Sequence, residues 1–339
     1  MKYLCLFLLG VNYCLSASNC NEVRTVYDFG STSIKVAVAK VNHCHNKITE
    51  VLYKSSRRID FLEDLNQSKS LYLSRKIIWK VLSIVSELQE ITRQYSAQRN
   101  LVVGSSIFNK ALNSPEIIKK LWKWFKLPMI ILNQKQKGQI AFEAVSCNVS
   151  TGRSDIVVWE IGAGSMQISS LIDESMEPYV FEGFLASASF KKIIIEQVQN
   201  KNSEEFTSPN PISRLQGTSS IKILSDYTNR VPPVIREKIM DPNSKVYGIG
   251  GVHSYSIADQ LGMPIYDLDS VLDVLNNSYE LNDDEIGGDY FETQISNLIL
   301  VAGFMKNLEI FEVYSLDISM ADGVLVSNSY WLDLPEYSL

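Results

Sequence analysis

A short polar turn between two apolar runs carries the first residues that could do chemistry. The turn and its flanks contain, in order, Asp28, Gly30, Ser31, Thr32 and Lys35. Glycine lets a ligand approach the backbone, hydroxyls and amides can donate to phosphate oxygens, and lysine adds positive charge. The carboxylate could anchor a divalent cation, because hard cations prefer oxygen ligands. The turn is therefore a candidate phosphate and cation site, and an ordinary Gly-Ser-Thr hairpin turn is the alternative.

A similar arrangement returns about 130 residues later along the chain. Its residues are Glu160 at the end of an apolar run, Gly162, Gly164 and Ser165 in the turn, and Gln167 in the next run. Because the acid, glycine and hydroxyl recur in the same order, the sequence predicts two similar halves whose turns face one cleft. Phosphates and a cation would then be held from both sides. Two unrelated structural turns are the alternative.

Two further turns combine small residues with a preceding apolar run. Gly248, Gly250 and Gly251 form a third glycine-rich turn, which is weak evidence alone because many strand-to-helix turns have this composition. Asp322 and Gly323 form a last acid-glycine turn before a short helix.

Alternating strand and helix patterns surround these turns. Predicted strands are the hairpins 26–39 and 155–169, the runs 101–104, 129–132 and 246–252, and a strand entering the final turn within 317–325. Predicted helices are 68–98, a segment opened by Ser114-Pro115-Glu116 in the manner of a capping box, 136–147, 187–198, 271–275 and 295–304. The polar stretches from His43 to Arg58, 200–220 and 282–289 are predicted loops. His43 and His45 would bind a metal only on a shared strand face with a third ligand, so a solvated loop is favoured. Strands alternating with helices and opened by a hairpin imply a mixed α/β sheet.

Composition limits the class of protein. The 339 residues are 45% hydrophobic and carry a formal net charge of −6, which suits a globular chain of two domains and does not favour nucleic acid as a partner. Residues 1–11 combine one lysine with an apolar run, which predicts a signal peptide over 1–18 with cleavage after Ala17 or Ser18. A buried N-terminal strand is the alternative. After removal of the signal no membrane span is expected, and the protein would be periplasmic or secreted.

Two cysteines flank the first hairpin. Cys20 precedes its first strand and Cys44 follows its second, at nearly equal distances from the turn. Antiparallel pairing would bring them together, and an exported protein meets an oxidising compartment, so a Cys20–Cys44 disulfide is predicted. Two free thiols are the alternative. Cys147 would remain as a small buried apolar side chain.

The turns, in this order, resemble those of the sugar kinase, actin and heat-shock ATPase superfamily, and most closely its exopolyphosphatase and guanosine-pentaphosphate phosphohydrolase (Ppx/GppA) family. The matching segments are Asp28–Ser33 and Glu160–Gln167 as two phosphate loops, Asn113 with the helix after it, 129–132, Gly248–Gly251 and Asp322–Gly323. The resemblance spans roughly residues 23–327. It implies an α/β fold of two ribonuclease-H-like, actin-like ATPase domains around a central cleft. The first domain would cover 21–134, with 323–339 as a segment that could complete it, and the second would cover 135–322.

The resemblance also implies a function for these residues. A Ppx/GppA-like phosphatase would hydrolyse the terminal phosphoanhydride of polyphosphate or a nucleotide polyphosphate with Mg²⁺ or Mn²⁺. The oligomeric state is left open, with a homodimer as one alternative. The turn amides, Lys35 and the hydroxyls would cradle the phosphoryl group. Asp28 and Glu160 would hold the metal, and Gln167 would orient the attacking water. The late glycine turn would approach a nucleotide.

Several positions depart from the family's pattern. Asn109 replaces an arginine, and Gln136-Lys137 replaces an acidic pair whose second member is the catalytic base. Glu160 stands for aspartate and Gln167 for glutamate, the latter resembling apyrase-type enzymes. Loss of a general base typically removes about two to four orders of magnitude of rate.

Three functions follow from this pattern and its departures. The leading hypothesis is an exported, divergent hydrolase of the phosphoanhydride bonds of polyphosphate or a nucleotide polyphosphate. Glu143 could replace its missing base if the helix were shifted; otherwise Glu143 is a surface glutamate. The second hypothesis is a phosphate- or nucleotide-binding protein that has lost catalysis. The third is an interaction module that uses the fold alone. Export argues against guanosine pentaphosphate, a cytoplasmic metabolite, as the ligand.

Overall fold

The computed structural model describes residues 20–332 and residue 334, and the predicted signal peptide lies outside them. The strands are β1 Asn21–Phe29, β2 Ser33–Asn42, β3 Lys47–Arg58, β4 Arg99–Gly104, β5 Met129–Ile131, β6 Ile156–Ile161, β7 Met166–Ser170, β8 Tyr179–Gly183, β9 Lys245–Ile249, β10 Ile265–Asp267 and β11 Glu312–Ser315. The helices are α1 Phe61–Asn66, α2 Arg75–Arg93, α3 Ile107–Lys110, α4 Ser114–Phe125, α5 Gln134–Ser146, α6 Ser187–Ile193, α7 Arg214–Thr228, α8 Pro233–Met240, α9 Asp259–Leu261, α10 Leu268–Ser278, α11 Asp283–Ile286, α12 Phe291–Leu308, α13 Met320–Val326 and α14 Ser329–Leu332. Two π-helical segments, Ile194–Val198 and Val252–Ala258, adjoin α6 and α9.

Two sheets share an arrangement of five strands. The first has the order β3-β2-β1-β4-β5, and the second has β10-β11-β9-β6-β7-β8. In five strands of each sheet, three antiparallel strands are followed by two parallel ones, so β1, β2, β3, β4 and β5 correspond to β6, β7, β8, β9 and β11. The second sheet has a sixth strand, β10, which lies antiparallel to β11 at its edge. The prediction of two mixed α/β halves is confirmed.

Two helices link the halves because each packs on the sheet of the other half. Helix α5, which follows β5, packs on β6, β7 and β8, whereas α13, which follows β11, packs on β1, β2 and β3. An apolar cluster that draws residues from both sheets and from α5 and α13 fills the space between them. Each sheet also has its own apolar core on its outer side.

Helix ends follow local sequence signals. Ser74 caps α2, its Oγ accepting the Ile77 amide at 3.2 Å, and the helix buries the apolar stripe that the sequence predicts. Asn133 and Gln136 form a capping box at the start of α5, with each side chain accepting the other's backbone amide at 2.8 and 3.0 Å. The side chain of Gln136 is therefore used to cap the helix, through its hydrogen bond with the Asn133 amide.

Several predicted boundaries are wrong. The predicted helix 68–98 is shortened to α2, and the predicted loop after His43 is a turn followed by the strand β3, whose outward polar residues hide its pattern. The predicted loop 200–220 contains the start of α7, and the last strand is Glu312–Ser315, before Asp317. Ser114 does not cap α4, because its buried hydroxyl donates to the carbonyls of Phe108 and Ala111.

The cysteines lie near the turn between β2 and β3. Cys20 and Cys44 form a disulfide with an S–S distance of 2.10 Å. Cys147 is only half-buried, and its thiol donates to the Asn46 carbonyl at 3.2 Å. The prediction of Cys147 as a buried apolar side chain is therefore wrong. No helix within the described residues is long and apolar enough to cross a membrane.

Substitution of Gly323 tests how closely α5 and α13 cross. A Cβ at this position would lie 2.4 Å from the Ile140 carbonyl oxygen, so Gly323→Ala must push the helices apart. We expect a loss of about 1–3 kcal/mol in the free energy of unfolding, measured by urea denaturation, despite the better helix propensity of alanine. The control is Gly152→Ala, where the nearest atom is a flexible Asp155 carboxylate oxygen at 3.3 Å. An unchanged or increased stability for Gly323→Ala would contradict the close crossing.

Candidate functional site: a cleft between two phosphate-loop-like turns

The two turns predicted from the sequence touch each other across a cleft. A Cβ on Gly164 would lie 2.9 Å from Ser31 Oγ, so only glycine allows this approach without displacing the serine. The cleft beside this contact has a volume of about 200 Å³. Eleven of the residues singled out in the sequence line it: Asp28, Gly30, Ser31, Thr32, Lys35, Glu160, Gly162, Gly164, Ser165, Gly250 and Gly251.

The first turn is closed by a hydrogen bond from the Gly30 amide to the Ser33 carbonyl at 2.9 Å. The antiparallel register of β1 and β2 sets Asp28 opposite Lys35. Burial raises the pKa of Asp28 to about 6, while Lys35 and Lys137 act to lower it and Glu160 acts to raise it. The Lys35 ammonium reaches across the cleft to within 5.6 Å of the Tyr255 ring centroid.

The second turn repeats this geometry. The Gly162 amide donates to the Ser165 carbonyl at 3.0 Å, and β6 sets Glu160 opposite Gln167 on β7. The Ser187 amide, at the start of α6, donates to the Gly162 carbonyl at 3.3 Å and ties the turn to that helix.

The third glycine turn passes directly beneath the second. Gly250 has a φ of +93°, and a Cβ there would lie 2.5 Å from the Ile161 carbonyl oxygen and 3.4 Å from Glu160 Oε1. Both the backbone conformation and the space require glycine here. Gly248 does not line the cleft; it packs against the ring of His253.

Lys137 lies at the centre of the site. In the sequence, this position stands out only because lysine replaces the acidic residue that serves as the base in the family pattern. Its Nζ donates to Ser165 Oγ at 2.8 Å and lies 3.7 Å from Glu160 Oε2. The side chains of Lys137 and Glu160 are 11% and 9% exposed, so water screens this ion pair little. Glu160 Oε2 has no hydrogen-bond partner, which leaves the ammonium as its nearest described cation.

Two predicted catalytic residues lie away from the cleft. Gln167 is buried, and its amide donates to Gln134 Oε1 at 2.9 Å. Glu143 forms a two-pronged ion pair with Arg153, with distances of 2.7 and 2.9 Å. Neither side chain lines the cleft, so neither is placed to act on a ligand there.

The cleft also includes polar residues that sequence reasoning missed. Ser105, Tyr255, Ser256 and Asn297 line it, and buried oxygens of Ser105 and Asn297 have no hydrogen-bond partner. Asn297 is the one that the sequence could have revealed, because it is a polar residue within the apolar pattern of the predicted helix 295–304. Tyr255 gives no comparable local signal.

Comparison with known proteins agrees with this fold. The model of the Ppx/GppA phosphatase family matches residues 37–180, which include Lys137 and the whole second turn. A crystal structure of the Aquifex aeolicus member of that family has a TM-score of 0.71 at 14% identity, covering 92% of this chain and 98% of that chain. An exopolyphosphatase from Cytophaga hutchinsonii has a TM-score of 0.71 at 10% identity, covering 93% and 100%.

The chain is similar to the Ppx/GppA phosphatase family in sequence over residues 37–180 and in fold over nearly its whole length. Its actin-like ATPase fold, predicted from the order of the turns, is confirmed. At these low identities the solved structures show the shared fold. No curated protein sequence matches the chain.

The cleft does not have the ligand set that a divalent cation needs. Ppx/GppA enzymes generally depend on such a metal, and Mg²⁺ is usually held by one or two carboxylates together with phosphates. Here the two lining carboxylates, Asp28 and Glu160, have lysine ammonium groups beside them. Each unit of positive charge on a metal about 4 Å from an ammonium would cost about 4 kcal/mol at an effective dielectric constant of 20. Asp28 and Glu160 therefore do not fit Mg²⁺ or Mn²⁺ in the arrangement described.

Asp28 should lower the stability of the protein at neutral pH. Its native pKa of about 6 exceeds the ordinary aspartate pKa of 3.8, so the native state binds more protons than the unfolded state between these values. Stability is therefore lost as the pH rises through this window. In metal-free buffer, Asp28→Asn should be more stable than the wild type by about 1–2 kcal/mol near pH 8 and lose most of this advantage near pH 4.

Urea denaturation at both pH values measures this effect. Asp226→Asn, at an exposed position on α7, is the control. An Asp28→Asn advantage that is the same at both pH values would show that the Asp28 carboxyl is not strained by burial.

Proposed function

We propose that this protein binds the terminal phosphates of polyphosphate or of a nucleotide polyphosphate in the cleft. One observation carries the proposal: the hydroxyl residues of two facing turns and two lysines line a single space. Ser31 and Thr32 from the first turn and Ser165 from the second offer hydroxyls, and Lys35 and Lys137 offer ammonium groups. Such donors favour phosphate oxygens, because charged hydrogen bonds are the strong ones.

The size of the cleft agrees with a small anionic group. Its volume of about 200 Å³ is below the range of about 300–1,000 Å³ that holds drug-sized ligands. A terminal phosphate or two would fill it, while the rest of the chain or nucleotide extends outside. The family's description as phosphatases supports phosphate compounds as the ligand class.

Hydrolysis of the terminal phosphoanhydride is the second candidate, and the Asp28 carboxylate favours it. Asp28 lines the cleft, and burial raises its pKa to about 6, which suits a general base near neutral pH. Water would attack the terminal phosphorus, its proton would pass to Asp28, and the bond to the bridging oxygen would break. Gln167 and Glu143 are not offered as participants, since neither lines the cleft.

We propose that the protein is exported to the periplasm or secreted. The predicted signal peptide and the Cys20–Cys44 disulfide support this location, since disulfides persist in oxidising compartments. A fusion with an alkaline phosphatase reporter, which is active only after export, tests it. Removal of residues 1–18 should abolish reporter activity.

Lys35 should be needed for binding. We expect Lys35→Ala to weaken binding of tripolyphosphate about tenfold or more by isothermal titration calorimetry, because a charged donor to phosphate is lost. Lys40→Ala is the matched control, since Lys40 lies on the same strand and pairs with exposed Glu50 away from the cleft. Equal affinities for the two variants would contradict the assignment of the cleft as the phosphate site.

Phosphate release distinguishes the two candidate functions. Tripolyphosphate and ATP are incubated with the wild type and with Asp28→Asn, with and without Mg²⁺. If the protein is a hydrolase that uses Asp28, the wild type releases phosphate and the variant falls by about two orders of magnitude or more. Tight binding with no release above the variant would leave the binding function and exclude hydrolysis.

A further inference from the structure

We infer that the cleft takes its phosphate chain as a free polyanion, with the ammonium of Lys137 in the place where a divalent cation would otherwise lie. This inference rests on the proposed phosphate binding and adds the form in which the ligand is bound. It follows from where the lysines lie relative to the carboxylates.

Lys137 is fixed by contacts on two sides. Its ammonium donates to Ser165 Oγ at 2.8 Å and lies 3.7 Å from Glu160 Oε2. It also acts electrostatically on Asp28, so it lies within the influence of both lining carboxylates. A cation that bridged Asp28 and Glu160 would have to displace or closely approach this ammonium.

Helix α5 holds Lys137 in this place. The capping box of Asn133 and Gln136 fixes the first turn of the helix, and Gly138 lies so close to β8 that a Cβ would come within 2.3 Å of Val180. The side chain of Lys137, which lies between these two residues in the sequence, is only 11% exposed. A buried, preorganised ammonium loses little conformational entropy when a phosphate binds.

A third carboxylate near the cleft, that of Asp322, already has ion-pair and hydrogen-bond partners within the protein. Asp322 Oδ1 pairs with Lys54 Nζ at 2.8 Å, and its Oδ2 accepts from the Ser319 amide and hydroxyl at 2.8 and 2.9 Å. Both of its oxygens have partners, so it offers no vacant ligand for a cation. Within residues 20–332, no group of three or more His, Cys, Asp and Glu side chains is placed to hold a metal ion.

The charges that line the cleft balance. Its acidic residues are Asp28 and Glu160 and its basic residues are Lys35 and Lys137, so the lining is neutral before the turn amides are counted. Because amides add positive potential, this cleft favours a ligand that brings its full negative charge, and Mg²⁺ that neutralises the ligand should weaken binding.

Calorimetry on the wild-type protein tests the inference directly. Tripolyphosphate is titrated once with EDTA present and once with millimolar MgCl₂. We expect an affinity in EDTA equal to or greater than that in MgCl₂. Binding that is at least about tenfold tighter with MgCl₂ would overturn the inference and leave phosphate binding itself standing. Absence of binding in both buffers would instead refute the proposed function, and the inference would fail with it.

Variants of Lys137 give a second test. Lys137→Gln should weaken binding in EDTA about tenfold or more, because it removes the central charge. Lys137→Glu should reverse the metal dependence, so that tripolyphosphate binds only when MgCl₂ is present. Lys135→Gln, at an exposed position in the first turn of the same helix, is the matched control and should bind like the wild type.

A metal titration needs no phosphate ligand and no activity. Mn²⁺ is added to the wild type and to Lys137→Glu, and bound ion is measured by electron paramagnetic resonance. We expect binding to the variant and none in the cleft of the wild type. Mn²⁺ bound by the wild type and lost in Asp28→Asn would overturn the inference. Thermal unfolding checks that each variant is folded. If a variant does not fold, the titrations of the wild-type protein decide whether the inference holds.

Discussion

The crossing of α5 and α13 is the constraint on which the cleft depends. Gly323 meets the Ile140 carbonyl at a distance that no side chain could occupy, so the two helices lie backbone against backbone. Each helix packs on the sheet of the other half, and the apolar cluster around them joins both sheets. Because both polar turns extend from these sheets, the crossing sets how closely Ser31 and Gly164 approach. The same helix that makes the crossing also carries Lys137 into the space between the turns.

The two halves share the same kind of turn, but the positive charge that balances its acidic residue comes from a different element in each half. In the first, Asp28 is balanced by Lys35 from the neighbouring strand, through the register of a hairpin. In the second, the residue opposite Glu160 is neutral Gln167, and the balancing ammonium comes from Lys137 on α5. A repeated fold can therefore keep the positions of its acids while changing the source of the opposite charge. The consequence is a neutral lining made of fixed charges, which is suited to an anion that arrives without a metal.

Holding these charges at low exposure costs stability, and the cost is visible at Asp28. Burial raises its pKa to about 6, which means that the folded protein resists its ionised form. Buried oxygens of Glu160, Ser105 and Asn297 around the same cleft have no hydrogen-bond partner and carry a similar cost. Such groups are retained where function requires them, since a core residue in the same place would be more stable. What singles out the cleft as the candidate functional site is that two separate turns and two lysines meet there.

The sequence alone determined the features that depend on local order. Alternating apolar residues and the recurrence of an acid, glycines and a serine predicted two α/β halves with facing turns, because strand periodicity and tight turns are encoded over a few residues. It could not reveal β3, whose exposed polar face resembles a loop, or the start of α7 in a polar stretch. Only the tertiary structure decided which side chains reach the cleft. Lys137 and Tyr255 enter it while Gln167 and Glu143 do not, because each direction depends on how α5, β7 and the segment after β9 pack against distant parts of the chain. In the sequence, Lys137 was notable only because it replaces the catalytic base of the family pattern. The packing of α5 places its ammonium at the centre of the site.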